Sequence, residues 1–267
     1  MSDAVSGPRL NPVVAAVQRG AEASGVSFEL LLATAQRESS LNASARAPTS
    51  SATGLFQFIE STWLAMVQRH GAAHGLQNYA EAISTRNGRP HVADAGLRRE
   101  ILNLRYDPEL SARMAGELAR ENAVYLEGRL GRSPRTGEIY AAHVMGPAGA
   151  ARLIAAAADG APNAAALFPR EAGANRWLFY NRDGEARSAA QLLARLELNG
   201  VAGASVAAGP PVLVAAIEDI SPAPERAAPA PNRTLIAPET ARALLSLALA
   251  DWPAPSRILR DPEAEEA

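Results

Sequence analysis

The stretch LLATAQRESSLN, residues 31–42, opens as an amphipathic helix and ends on an acid. Phe28, Leu31, Leu32 and Ala35 recur at i, i+3, i+4 and i+7, which predicts one apolar helical face. Ser27 is placed to cap this helix, with Val26 before it and Leu31 after it as a hydrophobic staple. The stretch that follows, SSLNASARAPTSSATG, is dense in Ser, Asn, Pro and Gly, so the helix is expected to stop near Glu38. An acid is a poor choice there, because the helix macrodipole places its negative end at the C-terminus. Position and partial burial both disfavour the anion, and a carboxylic acid that must hand a proton to a leaving oxygen needs that disfavour.

Outward from this helix the pattern stays helical. Pro12, Val13, Val14 and Val17 predict a short helix ending near Gly25. The stretch GLFQFIESTWLAMVQRHG (54–71) begins at a glycine and reads as one apolar helix through to Gly71, which would put Phe56 and Trp63 on the same face. Residues 72–106 are mixed, with a loop around RNGRP. Asp107-Pro108 is a strong start signal for a helix that Gly131 closes. Thr136 is expected to cap GEIYAAHVM, which Gly146-Pro147 stops, and AGAARLIAAAA and residues 187–198 are helical too. Period-two alternation is nearly missing, so residues 10–199 read as an all-α domain.

Beyond Gly200 the composition turns to Ala, Pro, Gly and Val, and residues 200–267 read as a linker and tail. Within the tail, residues 238–252 predict an amphipathic helix whose simplest use is to dock back on the body. A chain of 267 residues accommodates this organisation. Every basic residue is arginine, and the net charge of -2 offers no footprint for nucleic acid. The absence of cysteine excludes disulfides, thiolate catalysis and Cys-ligated zinc. No apolar run approaches the ~20 residues that span a bilayer, and the N-terminus does not read as a signal peptide.

Two short motifs carry the chemistry. Glu38-Ser39 at a helix end, followed by Gly54-Leu55-Phe56-Gln57, resembles the first two motifs of the soluble lytic transglycosylase family in order, spacing and context. The resemblance implies a lysozyme-like helical fold, a peptidoglycan glycan strand as substrate, no cofactor and no metal. His70, His74 and His91 show no ligand spacing that would contradict the last point. It also implies that one carboxylate suffices: Glu38 protonates the leaving oxygen, the substrate's N-acetyl group assists, and the muramyl C6 hydroxyl closes a 1,6-anhydro ring.

By matching position, Ser39 and Gln57 inherit contacts to the sugar or the acid, and Gly54 would allow close backbone approach to substrate. Phe56 either lines the groove or joins the core, whereas Trp63 reads as core. A third family motif, Ala-Tyr-Asn before a glycine, has its best counterpart in Ala142-His143-Val144 with Gly146, so that tyrosine and asparagine are both missing and His143 stands in the tyrosine's place. Tyr180 in NRWLFYN is the candidate for a fourth motif. Glu60, Glu81 and Asp94 could in principle serve as a second carboxylate, but no motif surrounds them and each reads as a surface charge.

Two alternatives stay open. One is a muramidase of the same fold that admits water. The other is a non-catalytic peptidoglycan-binding module of a flagellar, secretion or phage-like apparatus. The substrate implies action in the periplasm or at the cell wall, and the tail is the candidate region for recognition by a protein partner or export machine.

Overall fold

The computed structural model describes residues 11–48 and 50–197; the helix expected near 238–252 and the rest of the tail lie outside the described residues. The described chain is mostly helical. Helix α1 (Pro12–Ser24) starts on Asn11, whose side chain accepts from the Val13 N–H, and closes on Gly25 in the left-handed conformation. Helix α2 (Phe28–Ser39) is capped by Ser27, whose Oγ accepts from the Leu30 N–H at 3.2 Å. Helix α6 (Pro108–Leu130) starts where Asp107-Pro108 predicted and ends at Gly131. Asp107 accepts from both the Glu109 and Leu110 N–H groups.

The stretch 54–71 departs from the expectation of one continuous helix. Helix α3 spans only Glu60–His70, and residues 54–59 form an irregular turn. Gly54 and Gln57 both take positive φ (81° and 48°), and Thr53 bridges to Arg46 on one side and Phe58 on the other. A helix cannot continue through such backbone, so Phe56 and Trp63 share no helical face. Both are nonetheless wholly buried in the same core.

Helix α4 (Gln77–Ala82) follows, then a short antiparallel hairpin of β1 (Ser84–Arg86) and β2 (Arg89–His91) where a loop was expected. Its turn is Asn87-Gly88, both at positive φ, the pairing that a two-residue hairpin turn requires. Helix α5 (Ala95–Asn103) is capped by Asp94.

Helix α7 (Thr136–Ala158) is kinked at Gly146, whose φ of 73° and ψ of 160° interrupt it just before Pro147, as the sequence predicted. Its cap is Arg135 rather than Thr136: the Arg135 N–H donates to the buried Glu138 carboxylate at 2.8 Å. Three short helices, α8 (Ala164–Leu167), α9 (Pro169–Ala174) and α10 (Arg176–Phe179), lead to α11 (Ala189–Leu196).

Two apolar clusters organise these elements. One gathers Val17, Leu31, Phe56, Trp63, Ile101 and Met114 from the first half. The other gathers Leu126, Tyr140, Leu153, Phe179, Leu192 and their neighbours. Helix α6 is shared, placing Met114 in the first and Leu126 in the second, and it packs against α1, α3 and α7. At its crossing with α1 a Cβ on Gly20 would lie 2.4 Å from that of Ala112, so the small residue lets the backbones close. Helix α2 belongs to the first cluster and α7 to the second, and their meeting line holds the acid.

Candidate active site

Glu38 sits in the last turn of α2 with its side chain fully enclosed. The helix stops directly beyond it because Ser40 and Leu41 both adopt left-handed backbone (φ 53° and 63°). The Ser40 N–H returns to the Gln36 carbonyl at 3.0 Å. Two successive non-glycine residues in this region cost about 1–2 kcal/mol each, a strain held at the site rather than elsewhere in the helix.

Among the described residues, two polar side chains approach the acid, both from α7. The Tyr140 hydroxyl donates to Glu38 Oε1 at 2.7 Å, and Tyr140 is itself only 1 % exposed. His143 Nε2 stands 3.5 Å from the same oxygen. The Tyr140 and His143 rings stack with centroids 5.7 Å apart. Among the described residues, Glu38 Oε2 is buried with no hydrogen-bond partner. Burial, and next the adjacent Glu38 charge, push the Tyr140 phenol well above its ordinary value, so it stays protonated and serves as a donor. A small crevice, lined in part by Leu30, Thr34, Asn122, Tyr140 and His143, opens between α2, α6 and α7 beside this pair.

Tyr140 was not singled out from the sequence. The motif tyrosine missing at position 143 has its nearest counterpart one helical turn earlier, where Tyr140 meets Glu38. The spacing of Tyr140 and His143 at i and i+3 on one helix was the available signal, since such residues share a face.

The second motif builds the wall beside the acid. Ser39 Oγ donates to the Leu55 carbonyl at 2.8 Å, tying the end of α2 to the turn at 54–59. Gln57 is 3 % exposed, and its side-chain amide donates to the Gly54 carbonyl at 2.9 Å, stapling that turn from inside. The close approach at Gly54 is to protein: a Cβ there would lie 2.1 Å from the Arg105 carbonyl oxygen. The buried Arg105 guanidinium in turn donates to the carbonyls of Ser51 and Phe58. Phe56 is entirely buried, so of its two expected roles it has a surface only for the core. Tyr180 is not brought to the acid; it packs on the second cluster with the Arg176 guanidinium 4.7 Å from its ring.

The three other carboxylates considered are engaged elsewhere. Glu60 pairs with Arg98, Glu81 accepts from Gln77, and Asp94 caps α5. Among the described residues no cluster of His, Asp and Glu has metal-binding geometry. His70, at the end of α3, and His74, in the turn beyond it, instead bond Glu121 and Glu117 of α6 at 2.6 and 2.9 Å. Among the described residues no helix is long and apolar enough to cross a membrane.

The helix-borne acid, the strained stop beyond it and the stapled Gly-Leu-Phe-Gln turn all fall in one short part of the chain. Residues 15–85 match the transglycosylase SLT domain. The SLT match supports a lysozyme-like all-α domain and, at family level, a lytic transglycosylase-like function in cleaving peptidoglycan. It spans α1 to the start of β1 and includes Glu38, Ser39, Gly54 and Gln57. Tyr140 and His143, the two partners of the acid, lie beyond it on α7.

Proposed function

We propose that this protein is a peptidoglycan lytic transglycosylase in which Glu38 is the single acid and base. The observation that carries the reading is the asymmetric environment of that carboxyl group. Tyr140 holds Oε1, while Oε2 is buried and unpartnered. A carboxyl fixed at one oxygen keeps the other for proton transfer to a glycosidic oxygen. The proton passes from Glu38 to O4 of the departing GlcNAc as the bond from C1 of MurNAc breaks, with the N-acetyl oxygen stabilising C1. The C6 hydroxyl of the same MurNAc then bonds to C1 and returns its proton to Glu38, leaving a 1,6-anhydro end with no water consumed.

An ordinary hydrolase needs a second carboxylate ~5–10 Å from the first, and Glu60, Glu81 and Asp94 have other partners. Ser39, Gly54 and Gln57 act by shaping the wall of the site, since their contacts are internal to the protein. His143, whose side chain is 13 % exposed, is the neighbour best placed to meet both sugar and acid. The substrate places the site of action outside the cytoplasmic membrane.

The enclosure of Glu38 favours one second reading, a glycan-binding module in which the acid never meets a bond. Mass spectrometry of muropeptides released from purified peptidoglycan separates the two, with Glu38→Gln as control. Anhydromuramyl products that vanish in the variant are expected. Reducing ends would mean a muramidase, and no release by the unaltered chain would favour the binding module.

A further inference from the structure

Arg37, the residue before the acid, makes two contacts that tie α2 to α7 and α11. Its guanidinium carbon lies 4.6 Å from the centre of the Tyr140 ring, and its Nη2 donates to the Arg195 carbonyl at 2.8 Å. Arg195 belongs to the last turn of α11, where backbone carbonyls have no partner within the helix. One planar cation therefore spans three helices: it is carried by α2, lies on a ring of α7 and caps a carbonyl of α11. A guanidinium does this well because its flat face suits an aromatic ring while its edge donates in fixed directions.

We propose that Arg37 is a positioning residue that clamps Tyr140 against Glu38 and makes α11 part of the catalytic module. The inference rests on the assignment of Glu38 as the acid. The Tyr140 ring stacks with His143 and contacts the Arg37 cation, and its hydroxyl ends on Glu38. Loss of the cation frees the ring to shift, and the hydroxyl moves with it. Helix α11 lies more than a hundred residues beyond the SLT match, yet through Arg195, Arg37 and Tyr140 it is three contacts from the acid.

The test is a double-mutant cycle on the full chain, with Arg37→Ala, Tyr140→Phe and the pair, read as kcat and KM for muropeptide release. Arg37→Ala is expected to lower kcat about tenfold with KM within about twofold, and to add less than about twofold in the Tyr140→Phe background. Arg37→Lys, which keeps the charge and a donor but not the flat face, should recover part of the loss. A rise in KM with kcat unchanged, or equal losses in both backgrounds, would overturn the clamp.

A second readout does not depend on turnover. The Tyr140 hydroxyl proton, buried on a carboxylate, should exchange slowly, as measured by the deuterium isotope shift on tyrosine Cζ. Arg37→Ala should speed that exchange at least about tenfold, and an unchanged rate would refute the proposal. If the unaltered chain releases no muropeptides, the transglycosylase reading fails, while the exchange rate still decides the clamp.

Discussion

Replacing Tyr140 with Phe removes one oxygen atom from a fully packed position and tests the site most directly. The ring fills the same volume, so no cavity term enters. What is lost is the donor at 2.7 Å from Glu38 Oε1. Among the described residues the other oxygen has no partner and His143 stands off at 3.5 Å, so the variant leaves a buried carboxyl group with no short hydrogen bond from them. Once Glu38 has handed over its proton this bond meets a carboxylate, and a hydrogen bond to a charged group contributes about 1.5–3 kcal/mol. If that energy serves to hold the acid in its working rotamer, the loss appears in turnover as a roughly 10- to 150-fold fall in kcat. KM should stay within about twofold, because a side chain this buried offers no surface to a sugar. The assay is initial-rate release of anhydromuramyl products from purified peptidoglycan, beside urea denaturation of both chains. Turnover and stability both equal to those of the unaltered chain would refute the reasoning, as would a rise in KM alone.

Three further outcomes follow from the geometry. Gly54→Ala forces a Cβ to 2.1 Å from the Arg105 carbonyl on backbone at φ 81°, so the 54–59 turn must shift. We expect destabilisation of about 2 kcal/mol or more by denaturation and near-complete loss of activity. Ser39→Ala frees the Leu55 carbonyl and should cost about 1–3 kcal/mol of stability, with a smaller fall in kcat than Tyr140→Phe. Acid sensitivity should come chiefly from Glu138 and Glu121. The Arg132 hydrogen bonds hold Glu138 at about 2; burial opposes ionisation of Glu121, but His70 and Arg69 outweigh it and hold that carboxyl at about 2 as well. Both values lie below the ordinary 4.5. The stability they contribute is therefore complete above about pH 4.5 and is lost as pH falls toward 2. Glu138→Gln and Glu121→Gln should flatten the pH dependence of the unfolding free energy in that window, and an unchanged slope would contradict the ion pairs.

Local signals carried most of the fold. Ser27, Asp107-Pro108, Gly25, Gly131 and Gly146-Pro147 mark helix ends that the structure places within a residue or two, because capping and breaking are settled by neighbours in the chain. The same local view failed at 54–59. There the apolar pattern of Leu55, Phe56 and Phe58 is helical in composition, while the backbone answers to distant groups, above all Arg105 holding Ser51 and Phe58. The stretch around Asn87-Gly88 reads only as a loop in the sequence, because its flanks are too polar to announce strands.

The acid itself could be read from its motif, whereas its surroundings could not. Glu38 and Tyr140 are 102 residues apart, and Glu38 meets α7 only because α6 carries the first cluster at one end and the second at the other. A tyrosine on an apolar helix reads as core, and Tyr140 is core by burial. Its chemistry resides in one hydroxyl whose partner is supplied by the packing of two helices that are not neighbours in sequence. The same holds for Arg37, an ordinary helix-terminal cation until α11 provides the carbonyl that orients it. A family motif of this kind names the proposed proton donor, while the groups packed against it depend on how the second half of the chain packs on the first. A chain reduced to the SLT match would thus keep Glu38 and lose both groups that face it.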